Sequence, residues 1–340
     1  MVLDRFTRQI WDDLRVRFPG QRKTQRDKLA VLVATMLQVK SANLMELGSG
    51  LPIKTTDALS RFQWIKRFLG NDLVDIDAVM GPFSRESLEL ASAQGAQPVL
   101  IIDQSTITQL ERHELVMVAL RVGKRAIPIA WRVYKARGSL GWREQNEVLE
   151  VARSFLPEGC KPLLMGDRFY GNADIISWCQ THGWDYCLRL KGSMFLAQEP
   201  DAPPAQDRKL SALWATGEHR FENAYLTRRR VQTNIQMIQD AGAQEPWFIA
   251  MSAKPSLATA RAYAKRWGIE AMFSDFKSRG FGLTQSQLRS PGKLNRLIMV
   301  MAIALYWAVS TGLWAAKQLS SQKNSKKSVV DQWFHHSKQA

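Results

Sequence analysis

Between residues 97 and 191 short apolar runs alternate with helix-patterned stretches, and this order restricts the possible folds more than any other feature. "QPVLIIDQSTI" (97–107) has the length and content of a buried strand, with its apolar run ending at Asp103. "ELVMVALRVGKRAIPIAWRVY" (114–134) holds two β-rich runs around Gly-Lys, the pattern of a hairpin. "GWREQNEVLEVARSFL" (141–156) reads as a helix, and "CKPLLMGDRFYG" (160–171) as a strand ending in a turn. "NADIISWCQTHG" is a helix capped by Asn172 and stopped by Gly183, and "WDYCLRLK" is a further strand. Strand, hairpin, helix, strand, helix, strand predicts an α/β fold, a mixed sheet with flanking helices.

The flanking regions differ. Residues 1–90 read as helical, with "FTRQIWDDLRVRF" and "RDKLAVLVATMLQVK" separated by a break at Pro19 and Gly20. Thr55 and Thr56 are candidate caps for a helix through "DALSRFQWIKRFLG". That helix interleaves Arg61, Lys66 and Arg67 with Phe62, Trp64 and Phe68, which suits a DNA-contacting helix and equally a packing helix with a solvated basic edge. Residues 192–245 begin with a loop-like stretch and continue strand-like, as a β-rich insertion. "PWFIAMS" returns to a strand, a helix is expected over 256–289, and the tail 317–340 is basic, polar and expected to be flexible. The predicted organisation is a helical N-terminal DNA-binding region (1–90), a core in two parts (91–191 and 246–316) around the insertion (192–245), and the tail.

Charge narrows the function. Over 340 residues, 47 Lys and Arg against 31 Asp and Glu leave a net +16. A sequence pI of about 10 calls for a polyanionic partner, nucleic acid first. Three cysteines (Cys160, Cys179, Cys187) make no paired framework and suit a reducing compartment. Cys179, His182 and Cys187 lack the second ligand pair of a zinc site. The N-terminus "MVLDRFTRQIWDDL" is charged throughout and carries no signal-peptide pattern. "LIMVMAIALYWAVSTGLWAA" (297–316) is uncharged and long enough to span a bilayer, a composition that a buried core helix shares.

Three carboxylates stand out. Asp103 and Asp167 both follow apolar strand runs, where ligand groups of α/β sheets collect. In "RAYAKRWGIEAMFSDFKSRG" (261–280), Tyr263, Arg266, Glu270 and Lys277 fall within roughly 60° of one another around an ideal helix. Arg266 and Glu270 alone make an ordinary i,i+4 surface pair. Three oxygen-bearing side chains on rigid elements also suit Mg²⁺ or Mn²⁺, with Arg266, Lys277, Arg168 and Lys191 available for phosphate oxygens.

On these residues the chain resembles the DDE transposases of insertion sequences, in the insertion-sequence-4-like group marked by Tyr-x₂-Arg-x₃-Glu-x₆-Lys. "YAKRWGIEAMFSDFK" fits that signature at all four places, and "IIDQST" and "GDRFYG" resemble the surroundings of the first two catalytic aspartates. The resemblance covers residues from about 60 to 316. It implies an RNase H-like core interrupted by a β-rich insertion, with Asp103, Asp167 and Glu270 binding two Mg²⁺ ions, Mn²⁺ being able to substitute. It implies that Tyr263, Arg266 and Lys277 grip phosphates of the element's end. It implies cleavage at terminal inverted repeats, attack of the freed 3′-hydroxyl on target DNA, and a homodimer in the synaptic complex. It also makes 297–316 a packing helix and not a membrane span. Some relatives have a longer C-terminal dimerisation region, and little chain follows 316 here. Trp214 and Trp247 are the aromatics available to stack on a flipped base, and no motif selects either.

The expected function is that of a bacterial insertion-sequence transposase acting on double-stranded DNA in the cytoplasm, at the nucleoid. The alternatives are an RNase H-fold nuclease without strand joining and a catalytically silent DNA-binding repressor.

Overall fold

Continuous apolar runs, buried on both faces and broken at a Gly-Lys turn, make residues 99–135 an antiparallel meander. The computed structural model, which describes residues 5–53, 57–108, 112–239 and 244–321, forms β1 (Val99–Thr108), β2 (His113–Val122) and β3 (Arg125–Lys135) there. Gly123, at φ +60°, opens the β2–β3 turn with a backbone angle that other residues reach only with strain. α6 (Trp142–Ser154) leads into β4 (Leu163–Gly171), and α7 (Ala173–Thr181) leads into β5 (Asp185–Leu190). Asn172 caps α7, its side chain accepting from the Asp174 and Ile175 amides. β4 lies parallel to β1 and β5 parallel to β4. The order β3-β2-β1-β4-β5, with β2 alone running against the rest, is RNase H-like.

Residues 192–245 are not a separate layer. β6 (Phe195–Ala197), β7 (Arg208–Lys209), a short helix α8 (Leu210–Ala215), β8 (Arg220–Leu226) and β9 (Val231–Ile238) lead to β10 (Trp247–Met251). β10 pairs antiparallel with β5 on one side and β9 on the other. Among the described residues the insertion's strands thereby continue one sheet of ten strands, ordered β3-β2-β1-β4-β5-β10-β9-β8-β6-β7.

Strand alternation sorts the core into two layers. Ile101, Met117, Met165, Cys187 and Ile249 face one side. Leu100, Val118, Leu164, Leu188 and Ala250 face the other, with side chains of α6 and α7. The first side carries the N-terminal helices α1 (Arg5–Arg17), α2 (Lys23–Val39), α3 (Leu44–Ser49), α4 (Ala58–Leu69) and α5 (Ile76–Ser92). Asp57 caps α4, accepting from the Leu59 and Ser60 amides; Thr55 and Thr56 lie outside the described residues.

α11 (Pro291–Ser321) joins these helices to the sheet by packing against α2, α4, α5 and β3. Over Pro291–Ala315 it is long and apolar enough to cross a membrane. Its residues 294–305 are buried inside the protein, the packing role that the resemblance implies, while residues 306–315 are half-buried or exposed. Residues 322–340, most of the expected tail, lie outside the described residues.

The helix expected over 256–289 is shorter and less regular. α9 (Leu257–Ala262) passes into a 3₁₀ segment (Tyr263–Trp267), then α10 (Gly268–Ser274) and a π segment (Asp275–Arg279). Gly280 ends this path at φ −122°, ψ −80°, and Gly282 takes φ +66°. Pro291, whose ring suits a first helical turn, starts α11.

Candidate active site

β1 and β4 separate where the first two acids stand. Ile102 opposite Gly166 is the last parallel pair, and Asp103 and Asp167 are the next residue on each strand. β1 does not stop at Asp103, as its apolar run suggested; pairing with β2 keeps it extended, with Asp103 opposite Met117. β4 turns away instead. The Phe169 amide donates to Asp167 Oδ1 at 2.8 Å, and Tyr170 folds back so closely that a Cβ on Gly166 would stand 2.6 Å from its own. Gly171 then lies directly on the Arg189 carbonyl, leaving no room for a side chain. Alternation aims both aspartates at the face shared by Ile101 and Met165, the face on which α10 packs.

α10 supplies the third acid. Ile269, Met272 and Phe273 bury one stripe of the helix, and Glu270 lies on its outer side with 57% of its side chain exposed. Arg266 stands between the acids. Its Nη1 donates to Asp103 Oδ2 at 3.2 Å and its Nη2 to Glu270 Oε1 at 2.6 Å. Only 10% of the Arg266 side chain and 16% of that of Asp103 are exposed, so the Asp103 arm of this bridge is largely withdrawn from water while the Glu270 arm faces solvent. Burial opposes the guanidinium charge, but Tyr263, Asp103 and Glu270 more than offset it and its pKa is raised.

Asp103 titrates abnormally. Burial first, and then the neighbouring Asp167 charge, push its carboxyl up to about 6, against the opposing Gln104 amide and Arg266. The Gln104 amide donates to Asp103 Oδ1 at 2.8 Å. Tyr263 is buried beside Arg266, with Asp167 and Arg189 in electrostatic reach, and burial raises its phenol pKa. Lys277, half-buried on the π segment, is lowered by burial while Glu114 and Asp103 pull it back up. Tyr263, Arg266, Glu270 and Lys277 thus lie within one electrostatic neighbourhood of the aspartates, although the 3₁₀ and π segments depart from the even 100° spacing expected.

Arg168 and Lys191 lie to one side. With Arg189 they line a cavity of about 380 Å³ beyond the ends of β4 and β5. Arg168 and Arg189 both donate to Glu245, each at 3.1 Å, and the Lys191 ammonium sits 5.8 Å from the Phe169 ring centroid. Trp247 packs edge-on against Tyr263 and Trp267, whereas Trp214 stacks on His219 within the insertion.

Two site residues were not anticipated. Glu114 is buried and accepts from Gln104 Nε2 at 2.9 Å and Thr106 Oγ1 at 2.8 Å. Its one sequence signal is a carboxylate at the head of the apolar run "ELVMVAL". Tyr170 is 1% exposed, and its hydroxyl has no hydrogen-bond partner among the described residues. Burial raises its pKa, with Asp103, Asp167 and Glu114 adding to the rise, and nothing in "GDRFYG" separated it from an ordinary core tyrosine.

The donors fit a hard divalent cation in kind: Asp103 and Asp167 offer carboxylate oxygens from adjoining strands, and their mutual repulsion is what a cation would relieve. They do not form a closed cage. Among the described residues no three His, Cys, Asp or Glu side chains are grouped closely enough to hold a metal ion, and Glu270 is turned to Arg266. Cys179 and Cys187 belong to opposite layers of the core, so the sheet separates them.

A family model described as a transposase DDE domain matches residues 144–307, a span that contains Asp167, Glu270, Tyr263, Arg266 and Lys277. No curated protein matches the chain. Among solved structures it is similar to Ciona intestinalis endonuclease V in complex with a 24mer DNA containing an inosine followed by a ribo-adenosine. That likeness has 13% identity, covers 52% of this chain and 82% of the other, and has a TM-score of 0.30. A variant of the same endonuclease with a 23mer DNA gives 11% identity, coverage of 66% and 98%, and a TM-score of 0.29. The family match, which spans two of the three acids, supports a DDE transposase, an enzyme of nuclease or transposase type acting on DNA.

Proposed function

We propose that the protein is the transposase of a bacterial insertion sequence of the insertion-sequence-4-like group. It binds the element's terminal inverted repeats as a homodimer, cleaves DNA strands there, and joins the freed 3′-hydroxyls to target DNA. The observation that carries this reading is the convergence of Asp103 and Asp167, on adjoining parallel strands, with Glu270 and Arg266 on the helical segment across the same face.

Asp103, Asp167 and Glu270 would hold two divalent ions, Mg²⁺ or Mn²⁺. These supply activation of the attacking oxygen and charge stabilisation at the leaving oxygen. Asp103 would enter the reactive state as the carboxylate, released from its bond to Arg266. Arg266, released from Asp103 and Glu270, turns its two-pronged donor set to a non-bridging phosphate oxygen. Tyr263 holds the Arg266 guanidinium from one side, its ring centroid 5.8 Å away. Lys277 adds charge near Asp103 and Glu114. Arg168 and Lys191 offer a second phosphate contact beside Asp167, once Arg168 leaves Glu245.

The test is an incubation with duplex end DNA, a target plasmid and Mg²⁺. Joined end–target products support a transposase. Nicked ends without joining favour the nuclease alternative, and binding without either product favours the silent repressor.

A further inference from the structure

Tyr170 stands at the point where β1 and β4 part. Its β-carbon lies against Gly166, where the Ile102 and Leu188 side chains also converge. Gly166 and Ile102 directly precede Asp167 and Asp103, so the tyrosine packs beside the stems of both acids. Its ring belongs to the layer of Leu100, Leu164 and Leu188. β1 and β4 are not paired beyond Ile102 and Gly166, so no hydrogen-bonded ladder separates that layer from the aspartates. The residue is 1% exposed, and its hydroxyl oxygen is both enclosed and without a partner among the described residues.

An enclosed hydroxyl without an acceptor costs free energy, and phenylalanine would fill the same space without that cost. The hydroxyl therefore has its use in another state of the site. Asp103, Asp167 and Glu114 all lie within its electrostatic reach, Asp103 acting on it most strongly. Each of these acids already has donors. Glu114 receives Thr106 at 2.8 Å and Gln104 at 2.9 Å, and Asp167 receives the Phe169 amide at 2.8 Å. Asp103 receives the Gln104 amide on Oδ1 at 2.8 Å and Arg266 on Oδ2 at 3.2 Å. The Arg266 bond is the longest of these, and it is the one for which a cation at Asp103 competes.

We propose that Tyr170 is a positioning residue: once Asp103 turns from Arg266 to a divalent cation, the Tyr170 hydroxyl donates to the Asp103 carboxylate and fixes its orientation. Asp103 thereby exchanges the Arg266 donor for Tyr170, and no proton is transferred. Carboxylates that ligate an ion are held by such outer donors, whose loss costs roughly 10–100-fold in metal affinity. This role rests on the metal-dependent reading of the three acids and adds to it a donor that holds the first of them.

The experiment titrates Mn²⁺ into the full chain without DNA, for wild type, Tyr170→Phe and Asp103→Asn, and follows free Mn²⁺ by electron paramagnetic resonance. The binding that belongs to the acids is the part that Asp103→Asn removes. Tyr170→Phe is expected to weaken that part about tenfold. Its thermal midpoint in chelator is expected to equal or exceed that of wild type, because the metal-free protein loses no hydrogen bond. Affinity equal to or tighter than wild type overturns the positioning role while leaving the metal reading intact. A lower midpoint in chelator also overturns it, since the hydroxyl then serves the metal-free fold. A wild-type chain that binds no Mn²⁺ through Asp103 overturns the metal reading and the role of Tyr170 together.

Discussion

Arg266 Nη1 donates to Asp103 Oδ2 at 3.2 Å across 163 residues of sequence, and its other terminal nitrogen holds Glu270. The same arginine therefore balances two acids of the candidate site, one buried and one exposed. Without it Asp103 would face Asp167 with only the Gln104 amide in compensation.

Arg266→Ala is expected to destabilise the protein by about 1–3 kcal/mol at pH 8, because a buried carboxylate loses its cationic partner. The loss should shrink toward pH 5, where Asp103 is protonated in either protein. Urea unfolding at the two pH values checks this.

Asp103 itself carries a pH signature. Its folded-state pKa of about 6 lies above the unfolded value of roughly 3.9, so folding favours its protonated form. That contribution is fully present below pH 4 and is lost as pH rises through 6. Asp103→Asn, neutral at every pH, is therefore expected to be about 2–3 kcal/mol more stable than wild type above pH 7 and equal to it near pH 4. Thermal unfolding in the presence of a chelator is the measurement, so that no divalent ion compensates the wild-type charge.

The turn after Asp167 depends on a residue without a side chain. Gly171→Ala would drive a methyl group into the Arg189 carbonyl and shift β4 against β5, a loss of at least about 3 kcal/mol. Gly312→Ala, on the solvated half of α11 with open space around it, should instead stabilise by about 0.5–1 kcal/mol. Denaturant midpoints of the two variants should move in opposite directions.

α11 is tied to the N-terminal helices through Arg296. Its Nε donates to the Val74 carbonyl at 3.1 Å and its Nη1 to the Leu69 carbonyl at 3.2 Å. The ion pair with Asp72 matters less, since that carboxylate is 94% exposed. Arg296→Met fills the volume but orphans the carbonyls, for an expected cost of about 2–4 kcal/mol. Hydrogen exchange should quicken first in the segment between α4 and α5.

The central meander and both aspartates were legible because their signals are local: short apolar runs, a Gly-Lys turn, and acids after apolar runs. The union of the insertion with the main sheet was not, since β10 joins β5 to β9 through pairings that no short stretch encodes. The Glu270 helix was legible as an apolar stripe, but its 3₁₀ and π segments, in which Tyr263 and Phe276 are buried among distant side chains, were not. "KRWGIE" predicted an i,i+4 pair of Arg266 with Glu270, and the bond from Arg266 to Asp103 depended on a strand 163 residues away. Tyr170 and Glu114 were hidden for a similar reason: each is an ordinary strand residue until its neighbours are known.

The most direct test is Mg²⁺-dependent cleavage of duplex end DNA by wild type, Asp103→Asn, Asp167→Asn and Glu270→Gln at matched DNA occupancy. Glu270 is exposed, so Glu270→Gln should fold and bind DNA as wild type does while its cleavage falls at least a thousandfold, the scale of a missing site group. Both aspartate variants should be equally silent. Cleavage by Glu270→Gln at the wild-type rate would contradict the assignment of this site.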